Sequence, residues 1–158
     1  MFRNIFMFGI FSLLIPSYGQ AAIYYVNDSD LTGDVYTSTI GSNSNNGTTA
    51  NTPKATLTNV LSTYSGTFIS GDTIFIDAGN YFTTDANLSF GSAISGVSII
   101  GAGSNLTFFD NNNTSTDANR WGTVSGANIT IQGIYLTGYN FGFGGASTLN
   151  ISGATNLT

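Results

Sequence analysis

From residue 73 onward the chain alternates between short apolar runs and Gly, Asn or Asp punctuation. The runs predict strands at 73–77 (TIFID), 80–82, 88–90, 97–100 (VSII), 106–109 (LTFF), 121–124, 128–131 (NITI), 134–137 (IYLT), 141–143, 148–151 (TLNI) and 156–158. They are rich in Ile, Thr, Phe and Tyr, and turn residues bound nearly all of them. One earlier run, 23–26 (IYYV), has the same character. Between it and the later runs, 27–52 is polar, with turn points at Gly33, Gly41 and Gly47. A single helix is predicted over 53–64. Thr52 serves as N-cap, Pro53 occupies the first helical position, and Leu57, Val60, Leu61 and Tyr64 share one apolar face before Gly66.

The predicted strands fall into triples. The first strand of each aligns as Ile74-x-Ile76, Val97-x-Ile99, Ile129-x-Ile131 and Leu149-x-Ile151, at steps of 23, 32 and 20 residues. The long step contains 111–119 (NNNTSTDAN), which reads as a loop insertion. Three short strands per 20 to 25 residues suit a parallel β-helix whose turns stack at about 4.8 Å. Alternation puts these aliphatic residues, with Ile134 and Leu136, on one face, where they would form interior columns. One turn cannot bury its apolar face alone, so stacking carries the stability. Glycines at 96, 101, 126, 133, 138 and 153 would permit the bends. The fold class expected is therefore all-β, a parallel β-helix of about four rungs with an N-terminal capping helix. The rival is a sandwich of antiparallel hairpins, for which the one Asn-Gly pair, Asn46-Gly47, lies outside the strand-rich part.

The N-terminus changes the picture. Arg3 followed by the 11-residue apolar run 5–15 and by Pro16 reads as a secretory signal peptide, residues 1–19. Ser17 and Gly19 place small residues at −3 and −1 of a cut before Gln20, and a cut after Ala21 or Ala22 fits nearly as well. A membrane span needs about 20 apolar residues, so no transmembrane segment is expected after cleavage. The organisation read from the sequence is a leader (1–19), an N-terminal strand and polar loop (20–52), a capping helix (53–66) and β-helix rungs (67–158). The last rung has no cap after it, so the piece reads as the start of a longer protein. The expected location is secreted or cell-surface.

Composition removes several function classes. The 158 residues contain neither Cys nor His, which excludes a disulfide scaffold, a Cys/His zinc site, a Ser-His-Asp triad and a thiol nucleophile. Three cations face eight acids, all Asp, for a net charge of −5, which argues against a nucleic-acid partner. The acids are scattered, where glycoside hydrolysis needs two carboxyls within about 5 to 10 Å. Asp72, Asp77 and Asp110 read as turn or corner caps. Arg120 with Asp117 reads as a surface pair, and Lys54 as a solvated side chain on the cap helix. No cofactor is expected, with calcium the one candidate. Asp28-Ser29-Asp30-Leu31-Thr32-Gly33 matches the first half of an EF-hand-type loop, and Asp34 offers a further oxygen. The twelfth position, however, is Thr39 rather than a bidentate Glu, and a plain Asx-turn loop is the alternative. Outward aromatic rings on a stacked sheet would pack against sugars. Trp121, Tyr135 and Tyr139 are the candidate carbohydrate contacts.

The order of several short motifs carries a resemblance. These are Tyr24-Tyr25-Val26-Asn27, the Asn/Gly loop to Gly47, Thr52-Pro53-Lys54-Ala55-Thr56-Leu57, Gly71-Asp72-Thr73-Ile74-Phe75-Ile76, Asp77-Ala78-Gly79-Asn80-Tyr81, Gly96-Val97-Ser98-Ile99-Ile100-Gly101 and Asn128-Ile129-Thr130-Ile131-Gln132-Gly133. Together, over residues 23 to 153, they resemble the N-terminal end of right-handed parallel β-helix proteins of the pectate-lyase-like superfamily. The stretch Gly33-Asp34-Val35-Tyr36-Thr37 with its Asn-rich loop looks like large surface proteins of bacteria that use type IX secretion. The resemblance implies a right-handed coil whose helix caps its open end, and a polysaccharide or cell-surface glycan as partner. It covers lyases, hydrolases and non-enzymatic adhesins, so the fold alone does not choose among them. The expectation is a non-catalytic adhesin or carbohydrate-contacting segment. The alternative is the start of a polysaccharide lyase or glycoside hydrolase whose active site lies on later rungs.

Overall fold

The computed structural model describes residues 19–81, 88–110, 120–137, 140–143 and 149–152, with only the backbone described at 120, 137, 140–143 and 149–152. The apolar part of the expected leader, the insertion at 111–119, Tyr139 and the strand expected at 156–158 lie outside the described residues.

Among the described residues, eleven strands and one α-helix form where the pattern places them, with shifts of one or two residues at most ends. The strands are β1 (Ile23–Val26), β2 (Thr73–Ile76), β3 (Gly79–Asn80), β4 (Leu88–Phe90), β5 (Ser98–Gly101), β6 (Thr107–Asp110), β7 (Arg120–Val124), β8 (Ile129–Gln132), β9 (Tyr135–Thr137), β10 (Asn140–Phe143) and β11 (Leu149–Ser152). Every pairing between these strands is parallel, so no antiparallel hairpin joins them. They form three sheets, ordered β1-β2-β5-β8-β11, β3-β6-β9 and β4-β7-β10. From β2 on, successive strands visit the three sheets in rotation and return to the first after each third strand.

Stacking follows the alternation. Tyr24, Ile74, Ile99 and Ile131 occupy partnered positions across β1, β2, β5 and β8, and all four are buried. Each such aliphatic side chain contributes roughly 1.5–3 kcal/mol of burial. The register corrects one expectation. Ile74 partners Ile99, not Val97, so the first step is longer by two residues than the motif alignment gives. A two-residue slip leaves the same side chains facing inward, so the pattern fixes the face without fixing the register. The third sheet's interior is joined to the second by rings. Tyr81 stacks on Phe109 at 5.1 Å, Phe109 meets Trp121 at 5.2 Å, and Trp121 meets Phe90 at 5.2 Å. Where β5 and β8 end, a Cβ on Gly101 would collide with the carbonyl of Gly133, and Gly133 itself has φ +66. Backbones approach there as only glycine allows.

The helix differs from expectation at its start. α1 spans Leu57–Thr63, and its N-cap is Thr56, whose hydroxyl accepts the Asn59 N–H at 3.2 Å. Residues 52–56 are not helical because their backbone serves β1 instead. Lys54 N–H donates to Tyr25 O at 3.0 Å, Asn27 N–H donates to Lys54 O at 2.9 Å, and Tyr25 N–H donates to Gly47 O at 2.8 Å. Two elements therefore cover β1. α1 buries Leu57 and Val60 in the common core and sets Tyr64 4.5 Å from the Tyr24 ring, while residues 47 and 54 occupy the outer edge of β1. An unpaired β1 edge would be a template for pairing with other chains, and this segment covers it.

Candidate functional site

The polar segment after β1 is held by side chains rather than by regular structure. Asp77, buried at the end of β2, accepts five hydrogen bonds. Its Oδ1 takes the N–H groups of Val35 (2.6 Å) and Ala78 (2.8 Å). Its Oδ2 takes those of Tyr36 (2.9 Å) and Thr37 (2.6 Å) and the Thr37 hydroxyl (2.8 Å). Bonds to a carboxylate are about twice as strong as neutral ones, so this residue pins the loop. The Tyr36 ring then lies 4.5 Å from Phe75, on the outer face of the first sheet. Asn27, buried after β1, donates to Asp34 Oδ2 at 2.7 Å and to Thr39 O at 3.0 Å. Burial pushes the Asp34 carboxyl above the usual carboxylate range. The charges of Asp77 and Asp28 add to this, and hydrogen bonds from Asn27 and Thr37 oppose it.

Lys54 is a correction. The expected solvated side chain is only 4% exposed, and its ammonium donates to Asn45 O at 2.8 Å and Asn43 O at 3.3 Å. A cation caged by carbonyls in this way ties the 41–54 segment to itself. No side-chain pattern announces this cage, because the enclosing carbonyls belong to the backbone.

The calcium candidates do not converge. Asp28 Oδ1 accepts the Asp30 N–H at 2.7 Å and its Oδ2 accepts the Asn80 N–H at 3.1 Å. Asp30 Oδ1 accepts both the N–H (3.0 Å) and the hydroxyl (2.9 Å) of Thr32, contacts that hold its carboxyl below the usual range. These are successive Asx turns, in which each carboxylate serves the backbone two residues on. Asp34 is engaged with Asn27 instead, and no three acidic side chains among the described residues assemble as a metal site. The donor set does not fit a calcium ion.

The aromatic candidates separate by strand parity. Trp121 is fully buried between Phe90 and Phe109, so its ring presents no face to a sugar and the expectation for it is corrected. Tyr139 lies outside the described residues. Tyr135 is half-buried on the outer face of the second sheet, in register with Phe108 and, one strand further, Asn80. Phe108 and Tyr135 meet edge to face at 5.7 Å. Phe108 is not among the aromatic residues to which the sequence pointed. β6 begins at Thr107, which faces inward, and that parity sends Phe109 into the core and Phe108 outward.

A groove of about 240 Å3 adjoins this row, lined by Asp28, Asp30, Thr32, Asn80, Asn105 and Phe108 among others. Its wall is set by Gly79, where a Cβ would collide with the Asp28 carboxylate. A larger hollow of about 280 Å3 between α1 and the short turn Ser92–Ile94 is lined by Thr58, Leu61, Ser65, Leu88 and Ile94, with no charged residue lining it among the described residues. Among the described residues no helix is long and apolar enough to cross a membrane. No protein-family model matches the chain, and no curated protein and no solved structure is significantly similar to it.

Proposed function

We propose that this chain is a secreted, non-catalytic segment of a right-handed parallel β-helix, in a cell-surface adhesin or other carbohydrate-contacting protein. The rotation of strands among three parallel sheets supports a continuous winding of the backbone. The motif order resembling pectate-lyase-like proteins supports the surface role. The observation that carries the glycan reading is the outer row Asn80–Phe108–Tyr135 beside the polar groove. Aromatic faces suit the apolar face of a pyranose ring, while the carboxylates of Asp28 and Asp30 and the amide of Asn105 suit its hydroxyls.

The test is a panel of immobilised glycans probed with the full chain and with Phe108→Ala and Tyr135→Ala. Binding to at least one glycan is expected, weakened about tenfold by each substitution, which corresponds to one lost ring contact. Absence of binding across the panel, or binding indifferent to both substitutions, would sink the reading.

A further inference from the structure

Asp72 sits immediately before β2 and is 1% exposed. Its two oxygens accept two backbone donors, Ala22 N–H on Oδ1 at 2.7 Å and Ile69 N–H on Oδ2 at 3.0 Å. The carboxylate's charge is felt at the neighbouring Tyr24, whose hydroxyl is pushed above its ordinary pKa by burial and then by Asp72. Among the described side chains the one cation, Lys54, is committed to the carbonyls of Asn43 and Asn45. A buried carboxylate without a cation is an expensive arrangement.

Ala22 also immediately precedes β1. Its carbonyl accepts the Thr73 N–H at 3.0 Å, continuing the β1–β2 ladder by one residue, and Ala21 before it is exposed. The sequence alone leaves three cuts open at the end of the leader. A cut before Gln20 leaves a two-residue tail and no charge at Ala22. A cut after Ala22 removes both the donor to Asp72 and the acceptor for Thr73, and puts Gln20 at −3. A cut between Ala21 and Ala22 puts Gly19 and Ala21 at −3 and −1 and frees the nitrogen that already touches Asp72.

We propose that the Ala21–Ala22 bond is the processing site, and that the new α-ammonium of Ala22 forms an ion pair with the buried Asp72 carboxylate. This rests on the secreted reading above. A leader peptidase of the export machinery hydrolyses the amide. The C–N bond breaks, water supplies the hydroxyl to the Ala21 carboxyl and a proton to the Ala22 nitrogen, and that amine takes a second proton from solvent at neutral pH. Cleavage happens on the unfolded chain, and folding then brings the ammonium to the carboxylate. The leader is in this way exchanged for a counter-ion beside Asp72.

The experiment is export of the full chain, starting at Met1, in a Gram-negative host, followed by intact mass and N-terminal sequencing of the exported protein. The expected N-terminus is Ala22. A protein that keeps Met1 overturns the secreted reading itself. An exported protein beginning at Gln20 or Ile23 leaves that reading standing and overturns the processing site. The ion pair is read separately from acylation of the α-amino group near pH 8, in the exported protein and its Asp72→Asn variant. A free α-amino group titrates at about 7.7–8.0. Pairing should slow acylation at least about fourfold in the parent relative to the variant, because a rise of one pKa unit from about 7.7–8.0 cuts the reactive amine at pH 8 roughly four- to fivefold. Equal rates overturn the pair. The N-terminal sequence does not depend on whether the variant folds.

Discussion

Two regions of this chain reach a single conformation by different means. In the stacked strands, Tyr24, Ile74, Ile99 and Ile131 fix the fold by burial, and their neighbours need only be apolar and of the right parity. In the polar segment from Asn27 to Thr56, order comes from particular atoms. Asp77 holds three successive N–H groups, Asn27 bridges Asp34 and Thr39, and Lys54 gathers two carbonyls. The first kind of order is collective and tolerant of exchange among aliphatics. The second is local and fails when one atom is removed. A stretch that looks like a flexible linker in composition thereby becomes the lid over the β1 edge.

The sharpest way to break the contrast is in the column. Ile99→Ala should cost about 2–5 kcal/mol, read by urea unfolding as a fall in the midpoint of the whole transition. A loss confined to one sheet, with the rest unfolding as before, would contradict a shared core.

Asp77→Ala comes next, at about 2–4 kcal/mol, because it strips the partner from four backbone N–H groups and a hydroxyl at once. Amide exchange should accelerate at Val35, Tyr36 and Thr37, while Ile99 and Ile131 stay protected. Uniform acceleration would mean that the loop and the strands are one cooperative unit.

Lys54→Met keeps the aliphatic stem and removes the ammonium, leaving the carbonyls of Asn43 and Asn45 short of a donor. About 1–2 kcal/mol should be lost, and limited proteolysis should find new cuts within 41–54. A variant as resistant as the parent would show that the carbonyl cage is incidental.

The smallest effect is one of pH. The folded pKa of Asp34 is raised, so the folded state holds this proton more tightly than the unfolded one. Its contribution is fully present below the unfolded value of about 3.9 and is lost as pH rises through the raised folded value. Asp34→Asn should remove that loss, flattening the melting temperature against pH just above about 4 while Asn27 keeps an oxygen to donate to. A profile with unchanged slope would clear Asp34 of this role.

Much of the scaffold was legible along the chain. Period-two alternation and Gly/Asn punctuation located the strands near their observed positions, and the helix was expected where α1 lies. It ran four residues too early, because Thr52-Pro53 looks like a helix start, while the backbone of Lys54 is claimed by β1. The site was less legible. Trp121 and Tyr135 look equally suited to a sugar in sequence, and only the parity of the strand each occupies sends one inward and leaves the other at the surface.

By itself the sequence determined which side chains are apolar, at what spacing, and hence that short strands must stack to bury them. Local chemistry also fixed the Asx turns at Asp28 and Asp30, since their partners lie two residues away. Only the tertiary structure decided the two-residue register of β2 on β5, the burial of Lys54, and the meeting of Asp77 with residues 35–37 and of Asp72 with Ala22. Those contacts join atoms nine to fifty residues apart, many of them backbone atoms common to every residue, so no pattern of side chains announces them.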